Sequence, residues 1–188
     1  MRVISGTFRG KKILEPEDIK TRPLKDLTKE SIFNILNHSN KFKINLEDSN
    51  ILDLFSGVGS FGIECLSRGV KSVIFIENYN GVLPVLKKNL QNLKAIENYK
   101  IIEKDINNGK IFETLDKKFD IVFMDPPYKD KNLNLLLQNL ENIKIINKNG
   151  IVVIHRHKNE QDMIPKNFRV IEEKRYGVSK IIFLSLLN

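Results

Sequence analysis

The sequence holds one cysteine, Cys65, and no tryptophan in 188 residues. A lone cysteine excludes an intrachain disulfide and any zinc site built on several thiolates, and it points to a reducing compartment. It falls in a stretch that reads as a helix, where a small buried side chain is expected. No run of eighteen apolar residues is present, so no helical membrane span is expected, and Arg2 and Arg9 stand among too few apolar positions for a secretory leader. The chain is therefore expected to be soluble and cytoplasmic. Internal repeats and low-complexity tracts are lacking too, which excludes solenoids and disordered tails. Acidic residues are the minority: 23 Asp and Glu against 31 Lys and Arg give a formal charge of +8. Such an excess favours a polyanionic partner through phosphate neutralisation, while the abundance of Lys, Asn and Ile is also what an AT-biased genome produces. Arg2, Arg9 and Arg22 lie near the N-terminus, which weighs toward the first reading.

One stretch organises the rest. Residues 51–55 form a short apolar run carrying a single carboxylate, Asp53, and Gly57, Gly59 and Gly62 give Gly-x-Gly-x-x-Gly where a strand turns into a helix. A second apolar run, 72–76, ends at Glu77, placed to accept hydrogen bonds from ribose hydroxyls. Strand, glycine loop, helix and strand make a βαβ unit that binds a nucleotide-like cofactor.

Before it, residues 1–14 alternate apolar and polar positions and turn at Gly6 or Gly10, which predicts a β-hairpin made basic by Arg2, Arg9, Lys11 and Lys12. Helical spacing of Leu24, Leu27, Ile32, Ile35 and Leu36 predicts an amphipathic helix over 25–37. Residues 1–40 thus read as an extension and 41–188 as the main domain. Beyond the βαβ unit, helices are expected over 80–93, with Pro84 in the first turn, and over 132–145. Strands are expected over 100–103, 119–124, 150–154, 168–174 and 180–187, with 106–115 a loop or weak helix. Tyr176 and Gly177 join the last two strands too tightly for a crossover, so those two are antiparallel. The fold class is α/β: a Rossmann-like parallel sheet with an antiparallel last strand, flanked by helices. In such sheets Asp53, the glycine loop, Glu77, Asp105 and Asp125 meet at the carboxyl ends of the strands.

The glycine motif alone suits a nicotinamide cofactor as well as S-adenosylmethionine. Asp53 separates them, because a carboxylate is unfavourable beside a pyrophosphate and favourable beside the amino group of a methionine moiety. Asp125-Pro126-Pro127-Tyr128, at the end of run 119–124, fits methyl transfer to a ring-conjugated amine. Hydrogen bonds from that amine to the Asp125 carboxylate and the Pro126 carbonyl would favour a pyramidal nitrogen with a free lone pair, two prolines would hold the acceptors still, and Tyr128 would stack on the base. His155 and His157 flank Arg156, but no third ligand accompanies them, so they read as polar residues at a strand end and no metal is expected.

The segments RVISGTFRGKKI, TRPLKDLTKESIFNIL, LDLFSGVGSFGIECLSRG, FMDPPY and RYGVSKIIF resemble the bacterial 16S ribosomal RNA guanine-N2 methyltransferases over essentially the whole chain. The resemblance implies a class I S-adenosylmethionine-dependent enzyme acting on the small ribosomal subunit or its late precursor, as a monomer. It implies that Asp53, Phe55, Gly57 and Gly59 surround the methionine part of the cofactor, that Glu77 binds the ribose, that Asp105 and Ile106 lie near the adenine, and that Asn78 is a further cofactor contact. Asp125 to Tyr128 would hold the target guanine, and Arg2, Arg9, Lys11, Lys12, Arg22 and Lys29 would grip RNA phosphates. The chain departs from that pattern at Leu24 and Leu27, where Thr and Arg are expected, at Lys29 in place of Arg, and at His155 in place of an acidic residue. Asp-Pro-Pro-Tyr also occurs in DNA adenine-N6 methyltransferases, and a non-catalytic RNA-binding assembly factor could keep the same fold.

Overall fold

Valine, isoleucine and phenylalanine fill the apolar runs, and side chains of that shape favour a pleated, doubly covered strand. The computed structural model describes residues 1–16, 24–94, 96–108, 110–127 and 130–187. Its strands are β1 (Asn50–Leu54), β2 (Ser72–Ile76), β3 (Tyr99–Ile102), β4 (Phe119–Met124), β5 (Ile146–His157), β6 (Phe168–Tyr176) and β7 (Ser179–Leu186). They form one seven-stranded sheet in the order β3-β2-β1-β4-β5-β7-β6. The first five are parallel, and β7 inserts antiparallel between β5 and β6. The reversal comes from the tight turn at Gly177, whose φ of 59° suits a residue without a side chain. The expected fold class is the one observed.

Successive strand residues face opposite layers. Ile51, Val73, Ile121 and Val153 pack with α1 (Asp26–His38), α2 (Ser60–Ser67) and α3 (Leu83–Gln91), whereas Leu52, Ile74, Val122 and Ile154 pack with α4 (Lys110–Glu113) and α5 (Leu133–Asn142). Pro84 sits in the first turn of α3, where a missing N–H costs nothing. The 106–115 segment carries the four-residue α4, in keeping with the loop or weak helix expected there, whereas α5 ends at Asn142 and β5 begins at Ile146 and continues past position 154 to His157. None of the helices, among the described residues, is long and apolar enough to cross a membrane.

The N-terminal segment folds back on itself through hydrogen bonds from the Val3 and Ile13 amides to the Lys11 and Met1 carbonyls, at 2.9 and 3.0 Å, but only the Arg2–Lys12 bridge is sheet-like. The predicted hairpin is therefore a turn-rich loop. Its path is set by α2: the Ile4 and Ser5 amides donate to the buried Glu64 carboxylate at 2.7 and 2.9 Å, and the Thr7 amide donates to the Ser67 carbonyl at 2.7 Å. Thr7 thereby satisfies a carbonyl that the end of a helix leaves unpaired. Val3, Ile13, Ile32 and Phe33 share the core of the sheet.

One RNA-contact expectation fails in this framework. Lys29 is fully buried, its ammonium donating to the Arg2 carbonyl at 2.7 Å and the Ser60 hydroxyl at 3.3 Å, 3.7 Å from the Glu64 carboxylate. Burial lowers its pKa, and the Glu64 charge opposes that shift. It ties the N-terminal loop to α2 instead of meeting phosphate. Helical spacing placed it on the buried side of α1, beside Ile32 and Phe33, which a reading by residue type overlooks.

Candidate active site

Register brings the polar residues together. Leu54 pairs with both Ile76 and Met124, and Met124 pairs with Ile154. The next residue of each strand, Phe55, Glu77, Asp125 and His155, therefore stands in one row across the carboxyl edge of the sheet. These four line a cavity of about 650 Å³, together with Asp53, Gly57, Asn78, Asp105, Ile106, Pro126 and Pro127. That size suits a ligand of nucleoside-plus-amino-acid bulk.

At the glycine loop, Phe55 leaves β1 at a φ of 57° and Gly57 and Gly59 follow at 54° and 83°. The left-handed turn costs Phe55 about 1–2 kcal/mol, which the surrounding loop offsets. The Ser56 hydroxyl donates to the Asp53 carbonyl at 2.6 Å, and one Glu77 oxygen accepts from the Gly57 amide at 2.8 Å while the other accepts from Asn78 and Tyr79, each at 2.9 Å. Glu77 thus fastens the loop to the end of β2. Gly59, the residue before α2, offers no side-chain cap, and Asp53 supplies one from β1 by accepting the Gly62 amide at 2.9 Å. A Cβ on Gly62 would lie 2.2 Å from the Phe75 ring and 2.9 Å from that carboxylate, so only glycine permits the contact.

Asp53 is buried, and burial pushes its carboxyl well above the usual range; Asp125 and Glu77 push it further, and the Gly62 amide works against them. A cationic group placed beside it would oppose all three of these effects. Asp105 is exposed on its side chain, accepting from the Asn107 amide at 2.9 Å, and Ile106 behind it is buried.

On the other half of the cavity, the Asp125 carboxylate lies 2.8 Å from His155 Nδ1, and His155 Nε2 lies 2.9 Å from the Ser179 hydroxyl. Buried Arg156 forms a fork on Asp162, at 3.0 and 2.7 Å, and donates to the Pro127 and Asp130 carbonyls at 3.1 and 2.9 Å. The turn after β4 is thus held by two neighbouring residues of β5. Below it, stacked rings of Phe33, Phe61 and Phe123, with centroids 5.3 and 4.0 Å apart, connect α1 through α2 to β4. Phe61 and Phe123 form part of the cavity wall.

Gly59 is the one expected cofactor residue outside the lining; it lies behind the cavity, where a Cβ would meet Leu86 at 2.6 Å. Tyr128 and Arg22 lie outside the described residues. Arg2, Arg9 and Lys12 are exposed, with Arg2 3.8 Å from Asp26, while Lys11 is half-buried and donates to the Asn92 carbonyl. His155 is the site residue that sequence reasoning passed over. It read as a polar residue at a strand end, where it does stand, and the alignment of Met124 with Ile154 also places it beside Asp125.

This sheet order, with a glycine loop after β1 and an acidic cavity at the carboxyl edge, is that of a class I methyltransferase domain. The chain belongs to the family described as conserved hypothetical protein 95, whose model matches residues 1–185, the family of the bacterial small-subunit ribosomal RNA methyltransferases that its sequence resembles. It is 32% identical over 183 residues to the ribosomal RNA small subunit methyltransferase D of Haemophilus influenzae, covering 95% of this chain and 90% of that protein. It is 31% identical to YlbH of Bacillus subtilis, with 96% of each chain covered. Among solved structures, Escherichia coli yhhF superposes with a TM-score of 0.82 at 27% identity, covering 99% of this chain and 97% of that one.

Proposed function

We propose that this chain transfers a methyl group from S-adenosylmethionine to the exocyclic N2 amino group of a guanine in 16S ribosomal RNA, acting as a cytoplasmic monomer on the small subunit or its late precursor. The observation that carries this reading is the pairing, in one cavity, of a buried acidic receptor at Asp53 with the Asp125-Pro126-Pro127 turn. Relatives named as small-subunit ribosomal RNA methyltransferases support the RNA target.

The cavity fits the cofactor: Asp53 suits its ammonium group, Glu77 its ribose, Ile106 its adenine, and Gly57 presents no side chain to it. When bound, the cofactor supplies an electrophilic methyl carbon on a cationic sulfur. The chain's part is placement and charge. Asp125 and the Pro126 carbonyl accept the two N–H groups of the target amine and turn its lone pair toward the methyl carbon. Transfer would leave the sulfur–methyl electron pair with the departing cofactor, and the amine would give up one proton, for which the Asp125 carboxylate is the acceptor in reach. Tritium transfer from the methyl group into small ribosomal subunits, followed by nucleoside analysis, should label N2-methylguanosine. Label in N6-methyladenine of DNA, or none in either, would overturn the proposal.

Two further results are expected. Protonation of Asp53 competes with a cationic ligand, so affinity should fall as pH drops through its raised pKa, beginning at higher pH than for an ordinary carboxylate. Calorimetric titration with S-adenosylhomocysteine across pH should show that loss, and Asp53→Asn should bind more weakly at neutral pH with a flatter profile. At the basic loop, Arg9→Gln with Lys12→Gln should weaken RNA binding and reduce the slope of log affinity against log salt by about 1–2. An unchanged slope in fluorescence anisotropy would remove the loop from the RNA interface.

A further inference from the structure

We propose that His155 is a positioning residue for methyl transfer: held from behind by Ser179, its ring fixes the Asp125 carboxylate in the orientation that receives the target amine. The inference rests on the methyl-transfer reading of Asp125. Its basis is the chain of contacts from Ser179 Oγ to His155 Nε2 at 2.9 Å and from His155 Nδ1 to Asp125 Oδ1 at 2.8 Å.

Carboxylate, imidazole and hydroxyl in that order are the members of a serine hydrolase relay, but their placement here is reversed. Ser179 is buried and does not line the cavity, so its hydroxyl meets no substrate, whereas Asp125 and His155 do line it. The working end is the carboxylate and the hydroxyl is the anchor. A carboxylate only accepts, so an Nδ1–H donates to Asp125, and Nε2 on the far side of the ring is paired with the Ser179 hydroxyl. Oδ1 of Asp125 is then committed to His155 and Oδ2 is left for the amine. Without the ring, the half-buried carboxylate would be free to rotate about its last torsion, which has no sharp preference of its own.

The sheet fixes the geometry. Asp125 and His155 follow the paired residues Met124 and Ile154 on parallel strands, and Ser179 pairs with His157, two residues beyond His155 and on the same face. The ring therefore rests on strand backbones and not on a loop, which is where a positioning group is most precise.

Single-turnover methyl transfer with small ribosomal subunits from cells lacking this methylation tests the role. His155→Ala should slow the step by about 30–100-fold at saturating RNA, as expected for a misplaced acceptor, with KM for RNA and affinity for S-adenosylhomocysteine nearly unchanged. His155→Asn can present an amide N–H close to the place of Nδ1 and should recover most of the rate. His155→Gln reaches toward Ser179 and should recover much less. Should His155→Ala fail to fold, the contrast of Asn with Gln decides, with Ser179→Ala expected to lose a smaller part of the rate at unchanged KM. An active wild type beside an equally active His155→Ala, or equal recovery by Asn and Gln, would overturn the positioning role alone. A wild-type chain that leaves guanine N2 unlabelled would overturn the functional reading and the positioning role together.

Discussion

Asp125→Asn is expected to lower the methyl-transfer rate by about 10²–10³-fold, the range measured when one preorganised polar contact to a reacting centre is removed, while leaving the fold and cofactor binding in place. The substitution preserves volume and the acceptor oxygen that faces His155 Nδ1 at 2.8 Å. What it changes is the second position of the carboxylate, where an amide N–H would oppose the N–H of the target amine. Charge also leaves the cavity: Asp125 is one of the groups that raise the Asp53 carboxyl, so Asp53 ionises more readily in the variant. That offsets the loss of one negative charge near a cationic ligand, and S-adenosylhomocysteine affinity should change by only about threefold, a shift of under 1 kcal/mol. Thermal stability should be unchanged or slightly higher, because acidic residues gathered for function repel one another in the free chain. Single-turnover kinetics beside calorimetry and a melt separate these effects. Unimpaired transfer would mean that Asp125 does not hold the amine.

Much of this site was legible in the sequence because its parts are local. A glycine loop between an apolar run and a helix, and an acid at the end of the next run, each announce themselves within a few residues, and parallel strands deliver them to one edge. Residues whose role depends on pairing across the sheet were harder to read. His155 meets Asp125, and Arg156 meets the Pro127 and Asp130 carbonyls, through the register of β4 with β5, and Ser179 reaches His155 through the pairing of β5 with β7; neither register was visible while β5 was taken to end at 154. Lys29 shows the same limit in the other direction. The family resemblance suggested phosphate, but one face of α1 is buried and carries it into contact with Glu64, a residue in sequence far from the N-terminal loop that both of them hold. Burial of a paired charge is a tertiary fact, and composition does not reveal it.

Arg156 is the residue at which this kind of burial should have its largest effect on stability. Its guanidinium is almost wholly inaccessible and makes four hydrogen bonds, two to Asp162 and one each to the Pro127 and Asp130 carbonyls. Arg156→Met keeps the stem that packs in β5 but strands the Asp162 carboxylate, whose side chain is 8% exposed, and removes a donor from the Asp130 carbonyl and one of the two donors of the Pro127 carbonyl, which keeps the Asp130 amide. Removing one partner of a buried pair costs about 3–5 kcal/mol, which for a chain of this length lowers Tm by about 10 °C. Lysine should rescue little, since a single ammonium cannot span a carboxylate and two carbonyls in the geometry of a fork. Asp162→Asn in the Arg156→Met background should return part of the stability by removing the orphaned charge, so the two substitutions will be less damaging together than their sum. Chemical denaturation of the four species closes the cycle, and strict additivity would mean that the pair is not energetically coupled. Activity should fall along with stability even at temperatures where the variant is folded. The carbonyls released by the guanidinium belong to the turn that carries Pro126 and Pro127, and an acceptor displaced by about 1 Å is enough to cost roughly 10²-fold in rate.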